Sequence, residues 1–330
     1  MSSFDSILDI IKNSNNFILT THINPDGDAI GSELALARYL KDEGKHVQII
    51  NHSATPEYLK FMMNNDSEIQ LFKPSSHEEI IGKTDVIFML DINQLNRTGN
   101  LENSIRMSKA KKICIDHHEF PESFADAEVI DTEKSSTGEL IYDLLSEAKF
   151  KLDFDIALPL YVAILTDTGS FKYDRTTPRV HRIIAELIES GIDTKTVFRE
   201  IYDQGTSNSI QLLGRALSSI TQVCEGKVSY MTVKRSDLVE TGTSEEDVEG
   251  FVNYNLTIRG VEVGILFFEL EEGVKASFRS VSKIPVNKLA KEFNGGGHFH
   301  AAGARIIGQK LELSIREVLE ETEKYVTEYL

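Results

Sequence analysis

Short apolar segments that alternate with helical patterns dominate the first half of this 330-residue sequence. Apolar runs of strand length lie at 17–21, 46–51, 85–92 and 112–116. Within 29–42, the residues Ile30, Leu34 and Ala37 recur at helical spacing. Strands separated by helices are typical of βαβ units, whose strands pair in parallel. The sequence therefore predicts an α/β fold with a doubly wound, mostly parallel N-terminal sheet.

The second half of the sequence divides into a helical stretch and a new series of strands. Residues 136–219 read mainly as helices. Strand or helix patterns resume at 228–233, 261–270, 274–280, 286–293 and from Leu311. We place the domain boundary after residue 222, which gives an N-terminal domain at 1–222 and a smaller C-terminal α/β domain at 223–330. We expect an active-site cleft between the two domains.

The charge of the chain limits the substrates that it can hold. The sequence has 35 basic and 52 acidic residues and a net charge of −17. Long nucleic acid is usually held by a basic surface that neutralises many phosphates. The composition therefore argues against tracking along a long strand. A substrate with few phosphates stays compatible, because a local metal cluster can outweigh the overall field.

The cysteines and the hydropathy pattern indicate the compartment. Cys114 and Cys224 do not form a C-x-x-C pair, so two reduced thiols are expected and a structural zinc site is not. The sequence has no apolar run of transmembrane length. Its first residues lack the basic region and cleavage site of a signal peptide. We predict a cytoplasmic protein with no membrane partner.

Acidic residues and histidines recur where the predicted strands end. They are His22, Asp26 and Asp28 in T-H-I-N-P-D-G-D, Asp91 in L-D-I-N, Asp116, His117 and His118 in I-D-H-H, and Asp167 in L-T-D-T-G-S. A single aspartate at a strand end is usually a turn residue or a helix N-cap, and a single histidine is usually a surface or core residue. Because the ends of parallel strands meet at one edge, this set would converge and its carboxylates would repel each other.

Two divalent cations would neutralise the predicted cluster. Their four positive charges match the four negative charges of Asp26, Asp28, Asp91 and Asp167. Carboxylates with imidazoles and no thiolate favour a fairly hard ion. We expect two divalent metal ions as cofactors, with Mn²⁺ preferred and Mg²⁺ or Co²⁺ as substitutes.

The four motifs, in this order, resemble those of the DHH phosphoesterase family, named after the Asp-His-His triplet found here at 116–118. The resemblance implies one metal bound by His22, Asp26 and Asp91 and a second bound by Asp28, Asp91, His117 and Asp167, with Asp91 as the bridge. It also implies three catalytic residues. His118 would face the substrate or the nucleophile, Asp116 would orient the neighbouring histidines, and Asp91 would hold both ions.

Two motifs in the predicted second domain indicate substrate binding. One is G-G-G-H-F-H-A-A-G at 295–303, and the other is A-S-F-R-S at 276–280. One glycine there would be an ordinary helix C-cap, whereas three predict a backbone concavity whose N–H groups approach a phosphate. Both motifs resemble the DHH-associated domain of the NrnA-type oligoribonuclease (nano-RNase) and 3′-phosphoadenosine 5′-phosphate (pAp) phosphatase branch. The predicted substrate-binding residues are Arg279, Ser280, Gly295, Gly296, Gly297 and His298.

The motifs together predict a two-metal phosphoesterase. Its expected substrates are short oligoribonucleotides, linear dinucleotides and pAp, which it would cleave to mononucleotides. The resemblance also makes a homodimer reasonable. A phosphodiesterase of cyclic or linear dinucleotides such as c-di-AMP, pApA and pGpG is the first alternative. A RecJ-like exonuclease, a manganese inorganic pyrophosphatase and a nucleotide sensor without activity are further alternatives.

Overall fold

The computed structural model describes residues 4–281 and 283–330, without the side chain of His298. The chain divides into two compact units between Gln204 and Gly205. This division comes earlier than the boundary predicted at 222. The reason is a helix at Ser207–Ser218, whose Leu212 and Ala216 pack in a core cluster of the second unit.

A parallel sheet forms the centre of the first unit. Its strands are β1 (Asn16–Thr20), β2 (His46–Asn51), β3 (Ile69–Leu71), β4 (Val86–Leu90), β5 (Lys111–Asp116) and β6 (Ala127–Ile130). Their order is β3-β2-β1-β4-β5-β6, and every neighbouring pair is parallel. The predicted α/β class and parallel N-terminal sheet are confirmed. The strands β3 and β6 are additions to the predicted set.

Helices cover both faces of the parallel sheet. They are α1 (Asp5–Asn13), α2 (Gly27–Asp42), α3 (Pro74–Lys83), α4 (Glu102–Met107), α5 (Thr137–Glu147), α6 (Phe154–Asp167), α7 (Pro178–Glu189) and α8 (Thr194–Tyr202), with 3₁₀ turns at Glu57–Met62 and Leu95–Leu101. Phe17 and Phe88 face a core shared with α2, α5, α6 and α7. Ile18 and Ile87, which point to the opposite face, pack with α3 and α4. Among the described residues, no helix combines the length and the apolar character needed to cross a bilayer.

The helices α2 and α6 approach each other very closely. A Cβ atom at Gly31 would lie 2.4 Å from the carbonyl oxygen of Pro159, and one at Gly27 would lie 2.4 Å from Oγ1 of Thr166. Only glycine therefore fits at these two contacts. This approach brings the first turn of α2 beside the end of α6, where Asp28 and Asp167 respectively lie.

A mixed sheet forms the centre of the second unit. Its strands are β7 (Thr221–Val223), β8 (Val228–Val233), β9 (Val263–Leu270), β10 (Gly273–Ser280), β11 (Gly296–His298) and β12 (Ala301–Ile307), in the order β11-β12-β10-β9-β8-β7. Only β8 and β9 pair in parallel among these strands. The helices are α9 (Ser207–Ser218), α10 (Arg235–Thr241), α11 (Val286–Lys291) and α12 (Leu311–Tyr329), with 3₁₀ turns at Cys224–Gly226, Glu246–Val248 and Phe251–Thr257. A core that includes Phe267 and Phe278 lies beneath α11 and α12.

Candidate metal centre

The predicted metal ligands follow the carboxyl ends of the central strands. His22 and Asp26 come after β1, and Asp91 comes after β4. The strand order reverses between β1 and β4, and such a switch point opens a crevice beyond the strand ends. His117 follows β5, the neighbour of β4. Asp91 adopts a left-handed φ of 58° while its N–H donates to Ile115 at 3.1 Å, so the chain turns sharply at this ligand.

His22, Asp26 and Asp91 form a first group, in which one ligand atom of each lies within 4.8 Å of the others. The Nε2 atom of His22 lies 3.3 Å from Oδ2 of Asp91. Its Nδ1 atom lies 2.9 Å from the carbonyl oxygen of Ile23, so an N–H at Nδ1 leaves Nε2 as the ligand atom. Asp26 caps α2 through Oδ1, which accepts the N–H of Ala29 at 3.1 Å. Its Oδ2 accepts no hydrogen bond that would compete with a cation among those found for the described residues.

Asp28, His117 and Asp167 form a second group with the same 4.8 Å spacing of ligand atoms. The Nε2 atom of His117 lies 3.7 Å from Oδ2 of Asp28 and 3.3 Å from Oδ2 of Asp167. It also lies 3.5 Å from Oδ1 of Asp91. Asp91 therefore has one oxygen beside the histidine of each group, which is the arrangement that a bridging carboxylate requires.

The chemistry of the two groups fits divalent cations. Nδ1 of His117 lies 3.4 Å from the carbonyl oxygen of Lys134, which places its N–H there. The buried Nε2 atom has no hydrogen-bond partner among the described residues. A lone pair that faces three carboxylates is unfavourable unless a positive charge lies between them. Carboxylate oxygens with imidazole nitrogens are suitable ligands for such an ion.

The pKa values of the proposed metal ligands indicate the same need for positive charge. Burial disfavours the charged imidazoles, but close contact with Asp91 and the negative charges of the neighbouring carboxylates outweigh it and raise the pKa of His22 to about 9 and that of His117 to about 10. Burial, together with the charges of Asp91 and Asp167, raises the pKa of Asp28 well above its usual range. Burial also raises the pKa of Asp167 to about 7. Without metal the cluster therefore retains protons, which a bound cation would displace.

His118 and Asp116 lie beside the two groups. Nδ1 of His118 lies 2.7 Å from Oδ1 of the fully buried Asp116. It lies 3.6 Å from Oδ1 of Asp91, so the ring borders the predicted bridge. The observed contact of Asp116 is with His118, whereas His117 is oriented by the backbone of Lys134. The roles assigned to both residues stay predictions.

The N-terminus of α5 makes hydrogen bonds to two proposed metal ligands, and the sequence motifs did not predict them. The N–H groups of Thr137 and Gly138 donate to the carboxylate of Asp28 at 2.7 and 2.8 Å. The hydroxyl of Thr137 donates to Asp91 at 3.1 Å. A signal was present in S-S-T-G-E, since a serine followed three residues later by glutamate is typical of a helix start. This motif predicts where a helix begins. It does not predict the contact with a proposed metal ligand, because that contact depends on tertiary structure.

Arg279 and Ser280 lie at the end of β10 in the second unit. Nη1 of Arg279 donates to the carbonyl of Phe278 at 3.0 Å. Ser280 is buried, and its hydroxyl donates to the carbonyl of Ile284 at 2.9 Å and lies 3.1 Å from Nδ1 of His300. Ser280 thus closes a local loop, and its contribution to substrate binding stays a prediction.

The glycine motif forms a β-hairpin. Gly296–His298 pairs as edge strand β11 with β12, and Gly295 donates its N–H to Ala290 at 2.8 Å. At Gly297, φ is 141°, a value that favours glycine. The predicted concavity is therefore an exposed sheet edge, where alternate backbone groups point away from the ladder. The side chain of His298 lies outside the described part of the structure.

The hairpin and Arg279 belong to one corner of the mixed sheet. His298 pairs with Ala301, and Ala301 pairs with Arg279 on its other side. Neighbouring strands are about 4.8 Å apart, so these backbone positions span about 10 Å. The fold therefore brings together the two sequence motifs that predict substrate binding.

Two family models match the chain. The first, the DHH family N-terminal domain, matches residues 16–164. The second, the DHHA1 domain, matches residues 225–328. The metal groups lie mainly in the first matched range and the glycine hairpin lies in the second.

Similar proteins extend over most of the chain. The bifunctional oligoribonuclease and PAP phosphatase NrnA of Thermus thermophilus is 30% identical over 309 residues, which cover 94% of this chain and 90% of that protein. The Bacillus subtilis protein of the same name is 27% identical over 292 residues, covering 88% of each chain. The crystal structure of an exopolyphosphatase-related protein from Bacteroides fragilis has a TM-score of 0.92 and 31% identity, and covers 99% of this chain and 96% of that one.

Proposed function

Since this chain belongs to the DHH family of phosphoesterases and is a hydrolase of phosphoester bonds, we propose that it is a two-metal enzyme that cleaves short oligoribonucleotides and pAp to mononucleotides. The observation that carries the metal proposal is Nε2 of His117, a buried atom that faces Asp28, Asp91 and Asp167 with no hydrogen-bond partner among the described residues. The substrate proposal rests on the relatives named oligoribonuclease and PAP phosphatase.

The six ligands would hold two ions in the groups described above. When bound, two divalent cations would supply a nucleophile from water near neutral pH and positive charge for the phosphate oxygens. We propose Mn²⁺ for these positions, with Mg²⁺ or Co²⁺ as substitutes, since the ligands are oxygen and imidazole donors. The protein would fix the spacing of the ions through Asp91, because its two oxygens lie beside the histidines of different groups.

His118 is proposed as the residue that meets the reacting phosphate. Its Nδ1 proton is fixed by Asp116 at 2.7 Å, so Nε2 is the atom that would face a substrate. Burial lowers the pKa of His118, but the hydrogen bond that its Nδ1–H donates to Asp116 and the charges of Asp91 and Asp116 outweigh burial and raise it. A protonated imidazole there would donate to the leaving ribose oxygen or to a phosphate oxygen.

The second unit is proposed to hold the part of the substrate that does not react. Arg279 would pair with a phosphate or stack on a base, and the edge formed by Gly295, Gly296, Gly297 and His298 would offer backbone N–H groups. Ser280 would support this corner through its bond to Ile284. A cytoplasmic location and a homodimer stay predictions of the sequence.

A substrate panel tests this proposal. The purified protein with Mn²⁺ would be given RNA dinucleotides, a tetramer, a long RNA, pAp and a cyclic dinucleotide. We expect turnover of dinucleotides and pAp at least about tenfold above that of the long RNA, because a chain with a net charge of −17 repels the many phosphates of a long strand. Equal or faster turnover of the long RNA would contradict the proposal, and a cyclic dinucleotide as the best substrate would favour the phosphodiesterase alternative.

A further inference from the structure

One short segment, Lys134–Gly138, contacts three of the six proposed metal ligands. We propose that this segment is the positioning element of the metal centre and that Thr137 is its central residue. The inference rests on the proposed two-metal function and extends it to residues that do not themselves bind metal. The contacts come from backbone N–H groups, from a side-chain hydroxyl and from a backbone carbonyl of the segment.

The first contact fixes Asp28. Both of its carboxylate oxygens accept a backbone N–H from the start of α5, Oδ2 from Thr137 at 2.7 Å and Oδ1 from Gly138 at 2.8 Å. The first N–H groups of a helix lack partners within the helix, so the carboxylate and the helix satisfy each other. Two parallel bonds fix the plane of the carboxylate as well as its position. The side chain of Ser32 adds a bond to Oδ1 at 3.3 Å.

The second contact fixes Asp91. The hydroxyl of Thr137, whose side chain is fully buried, donates to Oδ1 of Asp91 at 3.1 Å. The same oxygen lies 3.5 Å from Nε2 of His117, while Oδ2 lies 3.3 Å from Nε2 of His22. Rotation of the carboxylate would break the bond from Thr137. The hydroxyl therefore fixes the plane of the carboxylate, so that one oxygen faces each proposed metal position.

The third contact fixes His117. The carbonyl oxygen of Lys134 lies 3.4 Å from Nδ1 of this histidine, which directs Nε2 to the carboxylates. A guanidinium nitrogen of Arg175 lies 3.5 Å from the same carbonyl. One stretch of five residues thus orients ligands from α2, from the end of β4 and from the end of β5.

The segment is itself anchored by ion pairs. Oε2 of Glu139 accepts both the N–H and the hydroxyl of Ser135 at 2.9 Å. Arg179 of α7 pairs with Glu139 and with Asp143, and Lys134 pairs with Asp143 at 2.7 Å. These bonds connect α5 and α7 to the segment. Its groups therefore hold their positions before any ion binds.

Close packing also explains the small residue in the segment. A Cβ atom at Gly138 would lie 2.5 Å from Cβ of Ala163 in α6. A side chain there would push the start of α5 away from α6 and from Asp28. The glycine thus keeps both N–H groups within reach of the carboxylate.

Substitution of Thr137 tests the role of its hydroxyl. We expect Thr137→Val to weaken Mn²⁺ binding by about 10- to 100-fold, the usual loss when a partner of a metal ligand is removed. Thr137→Ser, which retains the hydroxyl, should restore binding to within a few-fold of the parent. Affinity would be measured on the full chain by titration with Mn²⁺, followed by electron paramagnetic resonance and calorimetry, with no substrate present. Thr137→Ala removes the same hydroxyl with less bulk and replaces the valine variant if that variant does not fold.

A matched control separates positioning from stability. Thr322 in α12 is also a fully buried threonine, and its hydroxyl donates within its own helix to Val318 at 2.7 Å. Thr322→Val should alter the melting temperature and leave Mn²⁺ affinity unchanged. Parent-like affinity in Thr137→Val or Thr137→Ala would overturn the inference, as would a serine variant as weak as the valine variant. A parent protein that binds no Mn²⁺ would instead refute the metal proposal itself.

Discussion

The two units differ in how their functional residues are held. In the first unit, three of the six proposed metal ligands, His22, Asp28 and Asp91, are buried. Hydrogen bonds fix the direction of five of the six, and Asp167 is the exception among the contacts found for the described residues. In the second unit, Arg279 is half-buried on an interior strand and the exposed glycine strand β11 lies at the sheet edge, where the backbone supplies most of the bonds. Chemistry on phosphate requires charges fixed in advance, whereas contact with varied nucleotides tolerates a looser surface. The proposed metal site is thus held by more side-chain hydrogen bonds than the proposed substrate-binding residues.

Asp91 gives the largest expected effect and would break this comparison if it were dispensable. Asp91→Asn should lower kcat by about 10³-fold or more on every substrate, since it removes the charge shared by both metal positions. Steady-state kinetics and Mn²⁺ titration would measure the change. Asp85→Asn is the matched control, because Asp85 precedes β4 as Asp91 follows it, and accepts N–H groups of Asn15 and Asn16. It should cost about 1 kcal/mol of stability and leave kcat unchanged.

The next largest effect is expected in the free energy of unfolding of the metal-free protein, which should depend on pH. The pKa of His22 is raised to about 9 and that of His117 to about 10, each from an ordinary value of 6.5. The folded state therefore binds more protons than the unfolded state. The stability that this proton binding contributes is complete below pH 6.5 and is lost as pH rises through 9 to 10. We expect the free energy of unfolding to fall by about 2 kcal/mol or more over this range.

Denaturant titrations from pH 6 to 10, with chelator or with saturating Mn²⁺, would measure that loss. Bound cations take over the role of the protons, so the slope should be much smaller with Mn²⁺. His117→Asn should reduce the slope in chelator. A metal-free protein whose stability stays level or rises across this range would show that the buried cluster does not control it.

Substitution of Arg279 should give the smallest effect, and it tests whether the second unit binds substrate. Arg279→Ala should raise KM for dinucleotides by about tenfold and change kcat by less than about twofold, because the arginine is proposed to bind ground state and transition state alike. Arg305→Ala is the control, since Arg305 lies on β12 of the same sheet, opposite Lys275 and beyond the residues of β12 that pair with β11. A fall in kcat at constant KM would instead assign Arg279 to the reaction itself.

Much of the first unit could be predicted from the sequence. Four of its strands and the helix α2 were predicted to within about two residues, because β4 is a continuous buried apolar run and β1, β2 and β5 each contain a shorter one. The six proposed ligands are also readable, since each follows such a strand or lies in a helix next to the switch point. The structure brings the six side chains close together in overlapping groups, one of which also includes His118, and their role as metal ligands stays a prediction.

The remainder depended on tertiary structure. The strand β3 is only three residues long, and β6 is a partly exposed edge strand, so neither has a clear apolar run. The hairpin at 296–307 was read as a turn, because glycine has low strand propensity and its pairing partner is not visible in sequence. Thr137 was missed since Ser-Ser-Thr-Gly is an ordinary helix start until the fold places it against Asp28.

The tight contact between α2 and α6 has a consequence for ion choice. Asp28 lies in the first turn of α2 and Asp167 at the end of α6, and Gly27 and Gly31 let these two helices approach closely. Calcium needs longer bonds and more ligands than manganese or magnesium. If the two carboxylates hold the proposed ions, the glycines would favour the smaller cations by keeping the helices close, although neither glycine would bind an ion itself.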